Sequence, residues 1–514
     1  MAQAIVAIDQ GTTGSTALVM GTDGRVLGRA NHEFPQHFPA PGWVEHEPLE
    51  IYDSVLSALA EACAQAALGP DQIVAVGITN QRETTLIWER ATGKPIHRAI
   101  VWQDRRTADV CRRLREQGHA SRVQSKTGLV LDPYFSATKI AWLLDQVPGA
   151  RERAERGELL FGTVDSYLIW QLAGGAGANA PHVTDVSNAS RTSLMDLRSL
   201  QWDESLCQLF RVPMAVLPTI LPCAGVFARL SGQPGLAAGT PISGVAGDQQ
   251  AATFGQGCFN VGDIKCTYGT GAFAMLNTGA QPKHSQHGLL TTVAWKIGDE
   301  LVYALEGSSF IAGAAVQWLR DGLGIIQHSA DIERLAASVP SSDGVVFVPA
   351  LAGLGAPYWD PEARGLITGL TRGSTAAHLA RATLEAIAFQ VGDLITAMRE
   401  DLGAPISRLR VDGGAAQNQL LMQFQSDVSG LTVERPAELE TTARGAAMLA
   451  GIGAGIFRSG QEASRMFQIQ DSLIPRMAES ERAAHWQRWA AAVQRSRSPS
   501  PLRQAQGSGQ GGVG

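Results

Sequence analysis

The sequence has no feature that would place the protein in a membrane or on nucleic acid. No stretch approaches the roughly 18 uninterrupted apolar residues of a membrane span. The 42 basic and 48 acidic residues leave a formal net charge of −6, so there is no excess of positive charge to bind nucleic acid or anionic lipid. The first residues enter an apolar run directly, without the basic and apolar regions of a secretory signal. We therefore expect a cytoplasmic protein that neither inserts into a membrane nor binds nucleic acid.

Cysteine is scarce and follows no recognisable pattern. The sequence has six cysteines and no C-x-x-C pair, and even Cys258 and Cys266 are eight residues apart. Such scatter argues against the usual zinc spacings and against a disulfide framework. We expect reduced, partly buried thiols at Cys63, Cys111, Cys207, Cys223, Cys258 and Cys266.

Among the features that are present, the first apolar run is the most informative. Residues 5–8 predict a buried strand, and a tight connection at 11–15 leads into a second strand. Glycines let backbone N–H groups approach an anion, Thr12 and Thr13 add hydroxyl donors, and Asp9 can hold Mg²⁺ directly or through water. The connection has no lysine and precedes a strand, so it is neither a Walker loop nor a dinucleotide fingerprint. Short Gly/Thr hairpins also occur as ordinary turns, so the phosphate interpretation needs a second observation.

The second half of the chain repeats this pattern. Residues 264–276 again predict a strand, a Gly-Thr turn and a strand, about 260 residues after the first hairpin. One strand upstream ends at Asp248, and another strand further on ends at Asp412, where a diglycine opens a helix-like stretch to Gly430. Glycines and a helix N-terminus suit the close approach of a nucleotide. We therefore expect a nucleotide held between two related domains, with one hairpin on each side of its phosphates.

Length and periodicity predict an α/β protein with more than one domain. The 514 residues, 45% of them apolar, are enough for roughly two to four domains with sizeable cores. Strands alternate with amphipathic helices such as 48–68, which is typical of an α/β sheet. We place a first domain at 1–252, a second at 253–495, and a disordered tail rich in serine, proline and glycine at 496–514.

Several motifs, in matching order along the chain, carry a resemblance to a known family. Two are longer signatures, at 134–146 and 365–385. The shorter ones include Asp9-Gln-Gly-Thr-Thr13, Pro41-Gly-Trp-Val-Glu-His46, Thr79-Asn-Gln-Arg-Glu-Thr84, Val101-Trp-Gln-Asp-Arg-Arg106, Gly247-Asp-Gln-Gln250, Tyr268-Gly-Thr-Gly271 and Ala356-Pro-Tyr-Trp-Asp360. Over residues 4–495 the chain resembles the FGGY carbohydrate kinase family, and most of all its members that phosphorylate glycerol. The resemblance implies the actin-like ATPase fold: α/β, with two ribonuclease H-like domains and a nucleotide cleft between them.

The resemblance also implies ligands and their contacts. The substrates would be glycerol and ATP with Mg²⁺, and the product would be sn-glycerol 3-phosphate. Glycerol contacts would come from Arg82, Glu83, Trp102, Tyr134, Asp248, Gln249 and Phe273. Nucleotide contacts would come from Thr12, Thr13, Thr270, Gly313, Gln317, Gly414 and Asn418. Asp9 and Asp248 would surround the Mg²⁺, Asp248 would act as general base, and the chain would form a homodimer or homotetramer.

These residue types suit a small triol, because charged side chains offer strong hydrogen bonds to hydroxyls while aromatic walls cover the C–H edges. The residues by themselves also allow other interpretations. Trp102 and Phe273 could belong to an apolar core, and Arg82 and Glu83 could form a surface ion pair. The ion-pair alternative does not explain why both charges follow so closely on the apolar strand predicted at 73–78.

The chain departs from the family pattern in two places. Many glycerol-phosphorylating members have an arginine that contacts phosphate where this chain has Thr16, so we leave Thr16 out of the site and expect an altered affinity for ATP. In some bacterial members a loop ending in Gly-Thr-Arg binds the inhibitor fructose 1,6-bisphosphate, whereas the corresponding loop here, 235–241, ends in Gly-Thr-Pro. Proline has neither the guanidinium nor a backbone N–H, so we expect no such inhibition.

Two other functions remain open at the level of the sequence. A pentulose or other sugar kinase of the same family shares the fold and the nucleotide motifs. It differs at the polyol end, where 81–83 and 102–106 favour glycerol. An actin-like filament or chaperone ATPase shares the phosphate hairpins but needs no polyol pocket around Asp248.

Overall fold

The computed structural model describes residues 3–438 and 440–497. Up to residue 255 its strands are β1 (Ala4–Gln10), β2 (Gly14–Gly21), β3 (Val26–Glu33), β4 (Glu45–His46), β5 (Ile73–Asn80), β6 (Leu86–Glu89), β7 (Ala99–Ile100), β8 (Leu159–Gly162), β9 (Val183–Asp185), β10 (Met195–Asp196), β11 (Gln201–Trp202), β12 (Thr219–Leu221), β13 (Ala224–Arg229) and β14 (Pro241–Gly247). The helices of this part are α1 (Pro48–Ala66), α2 (Ala108–Glu116), α3 (Ala120–Thr127), α4 (Ser136–Gln146), α5 (Ala150–Glu155), α6 (Val164–Leu172), α7 (Val186–Ala189), α8 (Glu204–Phe210) and α9 (Asp248–Gly255).

The rest of the chain continues the alternation. Its strands are β15 (Ile264–Tyr268), β16 (Ala272–Gly279), β17 (Leu290–Ile297), β18 (Glu300–Ser309), β19 (Val346–Val348), β20 (Leu366–Thr368), β21 (Arg408–Asp412), β22 (Thr432–Pro436) and β23 (Ile469–Leu473). Its helices are α10 (Gly313–Asp321), α11 (Asp331–Ala337), α12 (Ala376–Leu402), α13 (Gln419–Ser429), α14 (Thr441–Gly453), α15 (Gly460–Ala463) and α16 (Glu479–Ser496).

Two mixed sheets form the centres of the two domains. The first has the order β13-β14-β5-β1-β2-β3, in which β1, β2 and β3 are antiparallel, β5 is parallel to β1, and β14 is parallel to β5. The second has the order β17-β18-β16-β15-β21-β22-β23, with an antiparallel meander β18-β16-β15 followed by the parallel strands β21 and β22. The strand order β3-β2-β1-β5-β14 of the first sheet thus repeats as β18-β16-β15-β21-β22 in the second. This repeated order confirms the expected pair of ribonuclease H-like α/β domains.

The first sheet is covered on both faces, which explains its nearly continuous apolar strands. Ile5 and Val6 of β1 point to opposite faces and join different core clusters. One face contacts α1, and the other contacts α14, a helix that follows the second sheet in the chain. Glycines permit this close contact, since a side chain at Gly77 would lie 2.2 Å from the Ala446 carbonyl oxygen. The core of the first domain therefore includes a helix that is distant in sequence.

Most local predictions are confirmed with small shifts. Strands β1 and β2 flank the first turn, and β15 and β16 flank the second. The helix predicted at 48–68 is α1, which ends at Ala66. The tail predicted at 496–514 is wrong at its first residue, because Ser496 is the last residue of α16, and the part from 498 onward lies outside the described residues.

Two further expectations concerned the cysteines and membrane-spanning segments. All six cysteines are free and buried, so their burial is more complete than expected. Of the helices in residues 3–438 and 440–497, none combines the length and the hydropathy of a transmembrane span.

Candidate active site

The first phosphate hairpin turns between β1 and β2. The Gly11 N–H donates to the Gly14 carbonyl at 2.9 Å, which closes the turn and leaves Thr12 and Thr13 at its tip. A side chain at Gly14 would lie 2.9 Å from the His32 carbonyl oxygen, so the strand pairing needs glycine here. Thr12 is half-buried and Thr13 is exposed. The tip therefore offers hydroxyls and backbone N–H groups to an anion.

The second hairpin is joined to the start of α10. The Thr270 carbonyl accepts from the Ala312 N–H at 2.8 Å, and the Gly269 carbonyl accepts from the Gly313 N–H at 2.9 Å. A side chain at Gly313 would lie 2.7 Å from the Gly269 carbonyl oxygen, so only glycine allows this approach. Gln317 follows one turn later on α10 and is exposed. Three predicted nucleotide contacts therefore lie on one hairpin–helix unit.

A third glycine-rich turn follows β21. Gly413 has φ +85°, and a side chain there would lie 2.5 Å from the Tyr268 carbonyl oxygen, at the end of β15. A side chain at Gly414 would meet no atom within 4 Å. Asn418 caps α13, because its Oδ1 accepts from the Leu421 N–H at 2.8 Å. Gly413 thus serves the fold, whereas Gly414 borders open space, and Asn418 has a structural role that the sequence pattern did not reveal.

Carboxylates gather at the end of β1. Burial raises the pKa of Asp9 well above its ordinary range, and the nearby carboxylates of Glu440, Asp248 and Asp412 raise it further. Asp412 accepts from Gln256 Nε2 at 2.7 Å through its Oδ2. Its buried Oδ1 has no hydrogen-bond partner in the described part of the chain. The cluster therefore has an excess of negative charge that a cation would relieve.

The donor set of this cluster fits Mg²⁺. Carboxylate oxygens are hard ligands, and Mg²⁺ in proteins is usually held by one or two carboxylates together with substrate phosphates. Within residues 3–438 and 440–497, no group of three or more His, Cys, Asp or Glu side chains forms a complete metal site. Asp9 and Asp248 therefore fit a Mg²⁺ ion that arrives with a nucleotide.

Arg82 lies at the centre of the predicted polyol site and is buried. Its Nη1 donates to Glu306 Oε2 at 2.5 Å, and its Nη2 donates to the Tyr134 hydroxyl at 3.3 Å. On the remaining edge its Nε lies 3.0 Å from Asp248 Oδ1. The surface ion pair that the sequence allowed is thus excluded for Arg82.

Glu83 has a strained backbone that neighbouring side chains hold in place. Its φ is +63°, in the left-handed region that non-glycine residues rarely adopt. The Glu83 carbonyl accepts from Ser136 Oγ at 3.1 Å and from Lys139 Nζ at 3.4 Å. Its carboxylate accepts from Arg191 Nε at 2.7 Å. Burial lowers the pKa of Lys139 to about 8, and the nearby carboxylates of Glu83, Asp104 and Asp132 oppose that shift.

Three aromatic rings surround the charged groups. The Trp102 ring meets those of Tyr134 and Phe273 edge-on, with centroids 5.7 Å and 6.3 Å apart. All three rings are half-buried, so they are not part of a closed core. Trp102 Nε1 donates to Thr12 Oγ1 at 2.9 Å, which joins this wall to the first phosphate hairpin. The aromatic wall and the phosphate turn are therefore contiguous.

Asp248 is the first residue of α9 and follows β14 directly. Its side chain is 32% exposed, and its Oδ1 accepts from the Gln249 N–H at 2.6 Å as well as facing Arg82. Gln249 Oε1 accepts from Lys265 Nζ. Burial lowers the pKa of Lys265, and neighbouring carboxylates oppose that shift. Gln249 is thus oriented by the buried Lys265 side chain beside the candidate base.

The structure joins six of the predicted polyol residues into one set of contacts: Arg82, Glu83, Trp102, Tyr134, Asp248 and Phe273. Sequence reasoning missed four charged neighbours, namely Lys139, Arg191, Lys265 and Glu306. Lys139 lies within a family signature, Lys265 is the single charge in β15, and Glu306 directly follows the apolar run 301–305, so the sequence contained a signal for these three residues. Arg191 has no such signal.

Known proteins share this arrangement of strands and turns. The model for the FGGY family of carbohydrate kinases, N-terminal domain, matches residues 4–255, and that for the C-terminal domain matches 264–454. Together the two matches cover well over half of the chain. The chain belongs to the FGGY family of carbohydrate kinases.

Similar FGGY kinases span almost the whole chain. The glycerol kinase of Trichlorobacter lovleyi is 56% identical over 494 residues, which make up 96% of this chain and 98% of that protein. The glycerol kinase of Myxococcus xanthus is 54% identical over 497 residues, or 96% of this chain and 99% of that protein.

Solved structures of FGGY kinases agree with the two-domain fold. Plasmodium falciparum glycerol kinase with ADP has a TM-score of 0.90 and 35% identity, covering 97% of this chain and 99% of that one. A ligand-bound xylulose kinase from Lactobacillus acidophilus has a TM-score of 0.86 and 21% identity, covering 99% of each chain. The second likeness shows a shared fold and no more.

Proposed function

We propose that this FGGY kinase transfers the γ-phosphoryl group of ATP to a terminal hydroxyl of glycerol, giving sn-glycerol 3-phosphate. The observation that carries the proposal is the 3.0 Å contact between Arg82 Nε and Asp248 Oδ1, next to the rings of Trp102, Tyr134 and Phe273. A cation, a carboxylate and aromatic walls suit a short polyol. Relatives at 54% and 56% identity that carry the name glycerol kinase support this choice of acceptor.

Asp248 is the proposed general base. Its Oδ1 is engaged by Arg82 and by the Gln249 N–H, whereas its Oδ2 has no hydrogen bond among the described residues. Oδ2 would accept the proton of the attacking hydroxyl, while Arg82 and Glu83 would hold the hydroxyls that do not react. Because phosphoryl transfer needs mainly alignment and charge stabilisation, such positioning is the main task of the polyol pocket.

The nucleotide is proposed to lie across the three glycine-rich turns. The hydroxyls and N–H groups at the hairpin tips would bind phosphate oxygens, and the open face at Gly414 leaves room for the rest of the nucleotide. The proposed contacts are Thr12, Thr13, Thr270, Gly313, Gln317, Gly414 and Asn418. Closure of the two domains would exclude water, which would otherwise hydrolyse ATP in place of glycerol.

Mg²⁺ is the proposed cofactor, held by Asp9 and Asp248. When bound, it would neutralise charge that develops on the phosphate oxygens. The raised pKa of Asp9 supports this placement, because the same carboxylates that disfavour its ionisation would share a cation. The protein's own residues would set the position of the phosphates through the two hairpins.

A second candidate function is phosphorylation of a pentulose, which the family resemblance left open because such kinases share the fold and the nucleotide motifs. The Arg82–Asp248 pair is compatible with longer polyols, so the acceptor must be measured. ADP release should be followed in a coupled assay with glycerol, xylulose, ribulose or no acceptor. A stereospecific glycerol-3-phosphate dehydrogenase would identify the product.

We expect a kcat/KM for glycerol that exceeds those of both pentuloses by about tenfold or more. A pentulose preferred over glycerol would make the protein a sugar kinase, and equal ADP release without acceptor would make it an ATPase. The Asp248→Asn variant, purified in the same way, controls for a contaminating kinase.

The proposed location follows from the cysteines and the proposed reaction, and the proposed assembly follows from the family resemblance. Free thiols at all six cysteines suit a reducing compartment, and with the need for ATP they favour the cytoplasm. A homodimer or homotetramer stays a prediction, to be measured by light scattering on a size-exclusion column. A single monomer mass over the working concentration range would contradict it.

A further inference from the structure

Four charged side chains form one network at the base of the polyol pocket. They are Arg82, Glu83, Arg191 and Glu306, each no more than 3% exposed. Glu306 Oε1 accepts from Arg191 Nη2 at 2.8 Å and from Arg82 Nη2 at 3.2 Å, and its Oε2 accepts from Arg82 Nη1 at 2.5 Å. Arg191 Nε donates to Glu83 Oε1 at 2.7 Å. Two arginines and two glutamates thus balance each other's charge.

The members of this network come from different domains. Arg82 and Glu83 follow β5, and Arg191 follows α7, all in the first domain. Glu306 lies on β18 of the second sheet, where it pairs with Leu290 and Met275 on the neighbouring strands. Glu306 is therefore, like Phe273 on β16, a second-domain residue in a pocket whose other named residues belong to the first domain.

Glu306 remains ionised in this buried position. Burial by itself would raise the pKa of its carboxyl, but Arg191 and Arg82 outweigh burial and lower that pKa to about 2. A buried carboxylate of this kind is stable only where hydrogen bonds and positive charges compensate it, here from Arg82 and Arg191. The two buried arginines in turn need its negative charge. The orientation of Arg82 is thus tied to the presence of a negative charge at position 306.

We propose that Glu306 is a positioning residue for the polyol site. It binds both terminal nitrogens of Arg82 and so directs the Nε edge toward Asp248, the proposed base. Because Glu306 belongs to the second domain, the polyol site is complete only when the two domains are correctly placed. This inference rests on the proposed function, since it concerns how the proposed glycerol site is assembled.

The test is the Glu306→Gln variant, which keeps the side-chain volume and one acceptor but removes the charge. The KM for glycerol is expected to rise by about tenfold or more, the equivalent of a lost charge-assisted hydrogen bond. The KM for ATP should change by less than about twofold, and ADP should still raise the melting temperature. If Glu306 had a purely structural role, the substitution would raise the KM values for glycerol and ATP together.

Two further variants complete the test, one as a matched control and one as an alternative substitution at position 306. Glu300→Gln removes a glutamate from the exposed end of the same strand, where Glu300 accepts from Trp295 Nε1, and both KM values should stay as in the unmodified protein. If Glu306→Gln fails to bind ADP, Glu306→Asp decides instead, because it keeps the charge but withdraws it from the arginines. We then expect a KM for glycerol at least about threefold higher, with ADP binding retained.

The inference is overturned if a variant at position 306 binds ADP normally and keeps the KM for glycerol, or if both KM values rise in the same proportion. Failure of the proposed function has a different signature, since the unmodified protein would then not phosphorylate glycerol at all.

Discussion

Asp248 combines three features at a single residue. It follows a buried strand directly, it begins a helix, and it remains 32% exposed while Arg82 and the Gln249 N–H hold one of its oxygens. A carboxylate with one fixed and one available oxygen suits proton transfer in a defined direction.

The first prediction concerns this carboxylate. Asp248→Asn should lower kcat for glycerol phosphorylation by about 10²–10⁴-fold, because the amide cannot accept the proton. Folding and ADP binding should persist, which circular dichroism and thermal shift with ADP would show. Asp299→Asn, at an exposed turn, is the matched control and should leave kcat unchanged. Retention of more than about a tenth of kcat would mean that Asp248 is not the base.

At the scale of elements, neighbouring glycines have different tasks in the turn after β21. The second prediction is that Gly413→Ala destabilises the fold, because φ is +85° and the new Cβ would lie 2.5 Å from the Tyr268 carbonyl oxygen. The free energy of unfolding should fall by about 1–3 kcal/mol. Gly414→Ala should change the free energy of unfolding by less than about 0.5 kcal/mol, because its methyl group would meet no protein atom within 4 Å. The same methyl group would enter the space proposed for the nucleotide, so ADP binding should weaken.

Urea unfolding and ADP titration of the two glycine variants would measure these effects. Equal stabilities of the two variants would contradict the structural role of Gly413. Unchanged ADP affinity in Gly414→Ala would place the nucleotide elsewhere.

A half-buried aspartate on α12 gives the third prediction, a pH dependence of stability. Asp393 Oδ2 accepts from the Tyr358 hydroxyl and from Trp489 Nε1, each at 2.9 Å, and so connects α12 to α16. Burial raises the pKa of Asp393 to about 7. Its pKa in the unfolded chain is about 3.9, so the folded state binds the proton more tightly. The stabilisation that proton binding to Asp393 gives to the folded state is complete below about pH 4 and is lost as the pH rises through about 7.

The variant Asp393→Asn should remove this dependence. Both hydrogen bonds use one oxygen, which an asparagine carbonyl can supply. Relative to the variant, the unmodified protein should lose up to about 1.4 kcal/mol of unfolding free energy per pH unit between about pH 4 and about pH 7. Chemical unfolding at several pH values would test this, and parallel curves for the two proteins would contradict it.

At the scale of the whole molecule, regulation gives the fourth prediction. The loop 235–241 ends in proline, and the guanidinium of the nearby Arg229 donates to the Gly239 carbonyl at 2.8 Å. Millimolar fructose 1,6-bisphosphate should therefore not inhibit the enzyme with saturating glycerol, at protein concentrations that permit tetramers. Clear, saturable inhibition would show that a basic residue elsewhere replaces the missing arginine.

Local patterns predicted the strands around the two phosphate hairpins. The apolar run before Asp9 predicted β1 and the turn after it, because a strand buried on both faces needs a continuous apolar sequence. The Gly-Thr turn at 269–271 predicted the second hairpin in the same way. The resemblance to FGGY kinases supplied the two-domain fold, which the repeated strand order confirms.

The sequence by itself thus determined the two hairpins with their flanking strands and the family, since these can be recognised from runs of neighbouring residues along the chain. Only the tertiary structure decided that α14 covers the first sheet, and that Glu306 of one domain orients Arg82 of the other, 224 residues away. Such contacts depend on which surfaces meet after folding. A charge in an apolar strand signals that a partner exists, but its identity is fixed only by the geometry of the assembled domains.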